Sequence, residues 1–290
     1  EISACLVGSE MCIRDRNSIK ASAKRIAAMK DTFLKNEVFP IHFMYDTGML
    51  EELKDILGFK NQELSNKVGA FTDYTDRILE WATRKVGGAL WREMKSDACT
   101  PFTRVTSDGT YFLTRLADYL KNSTHIQLHI VGHSAGSIFQ AHSLARLFKI
   151  DETLKVDSLH LMAPAISYPL FNETLAPLIE SEYIASTTVY NLSGPLEKDD
   201  HVARIYQKSL LYLVSNAFES KTAMPLLGMA AFDAPIANVT FKYSEGKEGD
   251  STAATSHGGF DSDVDTMNSV LTDITGGSPK YPFTKAILDY

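Results

Sequence analysis

The sequence predicts an α/β fold with a mostly parallel sheet and helices on both of its faces. Three observations carry that expectation. Strand-like and helix-like segments alternate from residue 126 to residue 274. One strand-like run ends in Gly132-His133-Ser134-Ala135-Gly136, just where a helical pattern begins. The 290 residues are 44% hydrophobic and 22% charged, enough apolar material for one sizeable core.

Taken in order, residues 1–16 (EISACLVGSEMCIRDR) have no clear period and no signal-peptide pattern. Residues 10–16 resemble the translation of a transposon end used in sequencing-library preparation. Residues 1–16 are therefore set aside as a non-native scar, and a single domain is expected over 17–290. Ile19, Ala23, Ile26, Ala27, Met29 and Phe33 recur at helical spacing. VFPIHFMYD (38–46) reads as a strand rich in β-branched and aromatic residues. TGMLEELKDILGF (47–59) opens a helix with Thr47 as its cap. Residues 73–98 are helical with a break at Gly87-Gly88, and 111–122 form an amphipathic helix. Residues 47–123 together read as a helical insertion between two sheet strands.

From there each strand leads into a helix. The pairs are 126–132 with 135–148, 157–165 with 168–183, 186–193 with 201–218, and 238–245 with 262–274. Such alternation makes parallel βαβ units with right-handed crossovers. Asp261 or Ser262 is expected to cap the last helix.

Bulk properties exclude several function classes. A net charge of −7 argues against a nucleic-acid partner. No apolar run reaches the roughly 20 residues that a membrane-spanning helix needs. Three cysteines make no disulfide framework, and a cytoplasmic setting is expected. No His/Cys cluster has metal-ligand spacing and no glycine loop is built to cradle phosphate, so neither metal nor cofactor is implied.

The serine carries the functional expectation. Gly132-His133-Ser134-Ala135-Gly136 fits G-x-S-x-G between a strand and a helix. There the serine takes a strained turn, and small neighbours keep strand and helix from colliding. Its hydroxyl emerges at the C-terminal edge of the sheet, where open α/β sheets bind ligands. The helix N-terminus supplies free N–H groups for a developing oxyanion, that of Ala135 first.

A serine hydroxyl is a weak nucleophile without a base, and the base needs a carboxylate to orient it. The loop GPLEKDDHV offers Asp200, with Asp199 as the alternative and Glu197 placed early. Asp199 and Asp200 could equally cap a helix starting near His201. Of eight histidines, His257 in TSHGGFDSD lies on a loop past the last strand, with Gly258 and Gly259 to let it turn. His42, His129 and His160 fall inside strands, and His201 is the second choice of base. His133 is expected to shape a substrate pocket. The apolar stretch 224–237, with Leu227 and Met229, either lines an acyl pocket or packs as core.

With those residues in place the chain resembles the α/β-hydrolase superfamily. The resemblance spans about 17–276, through GHSAG, the Asp199-Asp200 loop and HGGFD at His257. It is nearest to a bacterial group bearing HSAGS and SHGGFD. Membership implies a serine esterase or related hydrolase, with Ser134 attacking, His257 as base and then acid, and Asp200 orienting it. Its substrate would be a small molecule or acyl compound, a carboxylic ester or thioester. A peptidase or amidase on the same triad, or a non-catalytic interaction module with this fold, are the alternatives. The resemblance also implies a second oxyanion donor on a loop before residue 19, so the chain is expected to lack N-terminal strands, with that donor upstream of it.

Overall fold

Parallel pairing runs through the whole sheet. The computed structural model describes residues 2–8, 19–43, 73–123, 125–202 and 206–290. Among them are six strands: β1 (Ile2–Gly8), β2 (Val38–Phe43), β3 (Ile126–His133), β4 (Ser158–Met162), β5 (Thr187–Leu192) and β6 (Val239–Ser244). They lie in the order β2-β1-β3-β4-β5-β6, every neighbouring pair parallel. The helices are α1 (Ile19–Lys35), α2 (Asp73–Cys99), α3 (Asp108–Lys121), α4 (Gly136–Ile150), α5 (Tyr168–Glu180), α6 (Gly194–Asp199), α7 (Leu210–Leu213), α8 (Val264–Thr275) and α9 (Lys285–Leu288).

Two adjacent residues of β4 show that helices cover both faces. Successive strand side chains point to opposite sides. His160 faces α8, with Nδ1 3.9 Å from Asp273 Oδ2. Leu161 faces the other way and pairs with Gly132, where an added Cβ would stand 3.2 Å from the Gly136 carbonyl carbon at the start of α4. Strands β4 and β5 are buried along their length, as central strands of a covered parallel sheet are. Among the described residues no helix is long and apolar enough to cross a membrane.

Several expectations need correction. Residues 2–8 were set outside the fold, yet they fill the lane between β2 and β3, with Gly8 opposite Gly132. The ladder is made of backbone N–H and C=O groups, which any extended segment can offer. The pairing therefore says where residues 2–8 sit and nothing of their origin. Residues 10–16 and the helix expected over 47–59 lie outside the described residues.

Helix α2 runs unbroken through Gly87-Gly88. Its glycines serve packing: a Cβ on Gly87 would stand 2.1 Å from Phe218 Cε1. The helix expected over 201–218 is not formed as one piece. Val202 and Tyr206 exchange backbone hydrogen bonds and fold the chain back. Helix α7 then passes into a π-helical turn, Val214–Phe218. The apolar positions Val202, Tyr206, Leu210, Leu213 and Ala217 are all buried, so the pattern reported burial correctly and conformation wrongly. Asp263, not Asp261 or Ser262, caps α8 through the Thr266 N–H.

Candidate functional site

The site begins with the backbone at Ser134. Its φ is 52°, a left-handed value that costs a non-glycine residue on the order of 1 kcal/mol. Local bonds hold it there. Ser134 N–H donates to the Met162 carbonyl (2.9 Å), and Ala165 N–H donates to the Ser134 carbonyl (3.0 Å). That carbonyl also accepts from Ser137 Oγ (2.6 Å), which in turn accepts the Ile166 N–H (3.1 Å). The glycine at 132 lets the first turn of α4 come close.

His257 stands against this turn. It opens a 3-10 turn, His257–Ser262, after β6, and its Nε2 lies 2.8 Å from Ser134 Oγ. Both residues are buried, Ser134 fully and His257 to 1% exposure. Burial, and then the neighbouring His133, hold the His257 imidazole well below its ordinary pKa. Among the described residues nothing lies within hydrogen-bond distance of His257 Nδ1.

Asp200 follows α6 and is also buried. Its Oδ2 accepts the His257 backbone N–H (2.8 Å) and its Oδ1 the His201 N–H (2.8 Å). Asp200 thus touches His257 through the backbone of the loop. Asp199 is exposed. It does not cap a helix beginning near His201; instead α6 ends at Asp199, with Asp200 as its C-cap. Ala135 sits at the N-cap of α4, and among the described residues no acceptor takes its N–H. First-turn N–H groups have no partner within their own helix, which leaves this one available to an anion.

The residues expected to touch substrate lie elsewhere. His133 does not face a pocket: it is fully buried and its Nε2 donates to the His257 carbonyl (2.8 Å). Leu227 and Met229 are core residues. Leu227 N–H donates to the Ile166 carbonyl and Gly228 N–H to the Pro164 carbonyl, so this stretch props the turn after β4. An added Cβ on Gly228 would stand 2.5 Å from the Pro164 carbonyl oxygen, which explains the glycine.

Sequence reasoning missed Ser137 and the surroundings of Asp261. Asp261 is buried, with Oδ2 2.9 Å from both Arg25 Nε and Tyr290 Oη. Nothing local marks these residues, because each partner comes from a distant element. Ser137 was legible in principle, since a serine three residues past a strained turn can accept and donate across it. A serine hydroxyl against an imidazole, beside free helix N–H groups, has the parts that acyl transfer needs. Among the described residues no three His, Cys, Asp or Glu side chains gather to hold a metal ion. No protein-family model matches this chain, and neither does any curated protein sequence.

Proposed function

We propose that the chain is a serine hydrolase of the α/β-hydrolase type, acting on a carboxylic ester or thioester through Ser134, His257 and Asp200. The observation that carries this reading is the 2.8 Å approach of His257 Nε2 to an Oγ presented on a left-handed strand-to-helix turn. In the proposed reaction Ser134 Oγ bonds to the acyl carbon while His257 Nε2 takes its proton. The carbonyl electron pair moves onto oxygen, which accepts the Ala135 N–H. Collapse of this intermediate breaks the bond to the alcohol or thiol, which leaves with the proton from His257. Water then repeats the steps on the acyl-serine, releasing a carboxylic acid.

Asp200 holds the loop that carries His257 by accepting its backbone N–H, and so places the imidazole rather than contacting its ring. The depressed basicity of His257 supports an already electrophilic acyl group over an amide, because a weak base activates the hydroxyl weakly. A fluorophosphonate probe tests the assignment. Wild type is expected to gain one adduct, mapped to Ser134, and Ser134→Ala none. A folded wild-type protein that stays unlabelled overturns the hydrolase reading and favours a non-catalytic module.

A further inference from the structure

We propose that His133 is a positioning residue that sets where His257 stands relative to Ser134. The inference rests on the reading of Ser134 as nucleophile and His257 as base, and adds a part to that site. The backbone of His257 is gripped at both of its polar groups. Its N–H donates to Asp200 Oδ2 and its C=O accepts from His133 Nε2, each at 2.8 Å. The two gripping side chains come from different places, one from the acid loop and one from the turn bearing the serine.

The second grip matters more for geometry. His133 and Ser134 are consecutive, and the serine turn is fixed by the Met162, Ala165 and Ser137 bonds. One rigid dipeptide therefore holds the His257 backbone with one side chain and meets its ring with the next. The separation of Oγ and Nε2 becomes a property of that single turn.

His133 is itself held in orientation. A carbonyl oxygen only accepts, so Nε2 must carry the hydrogen. Nδ1 then carries a lone pair and lies 4.0 Å from Asp261 Oδ1, beyond hydrogen-bond reach, so the ring's orientation rests on its Nε2 bond and its packing. Asp261 is anchored by Arg25 from α1 and by Tyr290 near α9. The His133 ring lies 5.6 Å from the His257 ring and 6.2 Å from Phe260, centroid to centroid, which leaves it little room to tilt. All of this is buried, where losing one partner of a hydrogen bond strands the other.

A histidine that merely filled space would affect stability alone. Three variants separate the two roles: His133→Leu removes the donor, His133→Gln keeps an amide N–H near the Nε2 position, and His133→Asn stops short of the carbonyl. Fluorophosphonate labelling of Ser134 is followed to saturation alongside thermal melting. In the leucine variant the maximal labelling rate should fall about tenfold to a hundredfold, the cost of a misplaced reacting group, with the half-saturating probe concentration unchanged. The glutamine variant should recover most of the rate. If the leucine variant does not fold, the asparagine variant replaces it with the same expectation.

Wild-type labelling rates in the folded leucine or asparagine variant overturn the proposal. So does a glutamine variant as slow as leucine, because the donor would then be irrelevant. Should wild type itself stay unlabelled, the hydrolase reading fails first, and crystal structures still decide this inference. The Nε2 to Oγ contact is expected to open in the leucine or asparagine variant and to persist in glutamine; an unchanged contact in all three overturns it.

Discussion

Residue types alone do not make the site. A second serine, histidine and aspartate set lies across the sheet, with Ser158 Oγ 2.8 Å from His160 Nε2 and His160 Nδ1 3.9 Å from Asp273 Oδ2. Its distances rival those at Ser134. Yet Ser158 begins β4, at the opposite end of the strand, and shares its hydroxyl with His129 Nδ1 at 2.7 Å. Its hydroxyl is shared between two buried histidines of neighbouring strands, so it reads as a buried polar network that locks β3 to β4. What distinguishes Ser134 is the left-handed turn and the free N–H groups beside it. The same reasoning separates Asp200 from Asp199. Asp200→Asn keeps the shape, but it sets an amide N–H against one of the two backbone donors that the carboxylate accepts and so loosens the His257 loop. Fluorophosphonate labelling should slow by about tenfold to a hundredfold, the cost of a misplaced base. Asp199→Asn, at an exposed position, should label at the wild-type rate. Equal slowing in both variants would remove the special role of Asp200.

At the scale of elements, glycine was the least legible residue. The pair at 87 and 88 looked like a helix break, and the structure uses it for contact. Phe218, from the π-helical turn, rests on Gly87. The next residue, Glu219, accepts from Trp91 Nε1 at 2.7 Å and from Lys95 Nζ at 2.8 and 2.9 Å. Tertiary packing overrides local propensity here, because the aromatic ring needs the space more than the helix needs an alanine. Gly87→Ala should therefore destabilise the protein by about 1–3 kcal/mol, the usual cost of overpacking, despite the better helix former. Urea unfolding checks this; a rise in midpoint would mean that the ring moves aside freely. The strands from 126 onward were legible: β3 and β4 carry apolar runs with clear ends, and β6, at the sheet edge, alternates apolar and polar residues. Residues 201–218 were not, because burial period and helix period coincide over a folded-back chain.

At the scale of the whole molecule, the meeting of Ser134, Asp200 and His257 was readable, because each residue follows a strand of one sheet. The burial of the site was not, since it depends on elements far apart in sequence. Burial has a consequence for stability against pH. It lowers the pKa of His129, His133, His160 and His257, that of His160 to about 3. The unfolded chain then binds more protons than the folded one below about pH 6.5, and stability falls as pH drops from there. Glu197 acts in the opposite sense. It sits on α6, one turn before Asp200, at 1% exposure. Burial raises it to about 8 from an ordinary 4.5; the Ala230 backbone bond opposes this, and Asp233 and Asp200 add to it. The folded state holds this proton more tightly. The resulting stabilisation is complete below about pH 4.5 and is lost as pH climbs to about 8. Four histidines half protonated in the unfolded chain at about pH 6.5 outweigh the one glutamate, so maximal stability lies above about pH 6.5, where those histidines have lost most of their protons and the cost at Glu197 is still growing. Glu197→Gln keeps shape and neutrality at every pH. Across pH 5 to 8 it should gain on wild type by up to about 1.4 kcal/mol per pH unit, flattening the alkaline side of the curve. Urea midpoints of both proteins measured across that range decide the matter: parallel curves would mean that Glu197 ionises inside the fold at its ordinary pKa, with water or a counter-charge reaching it.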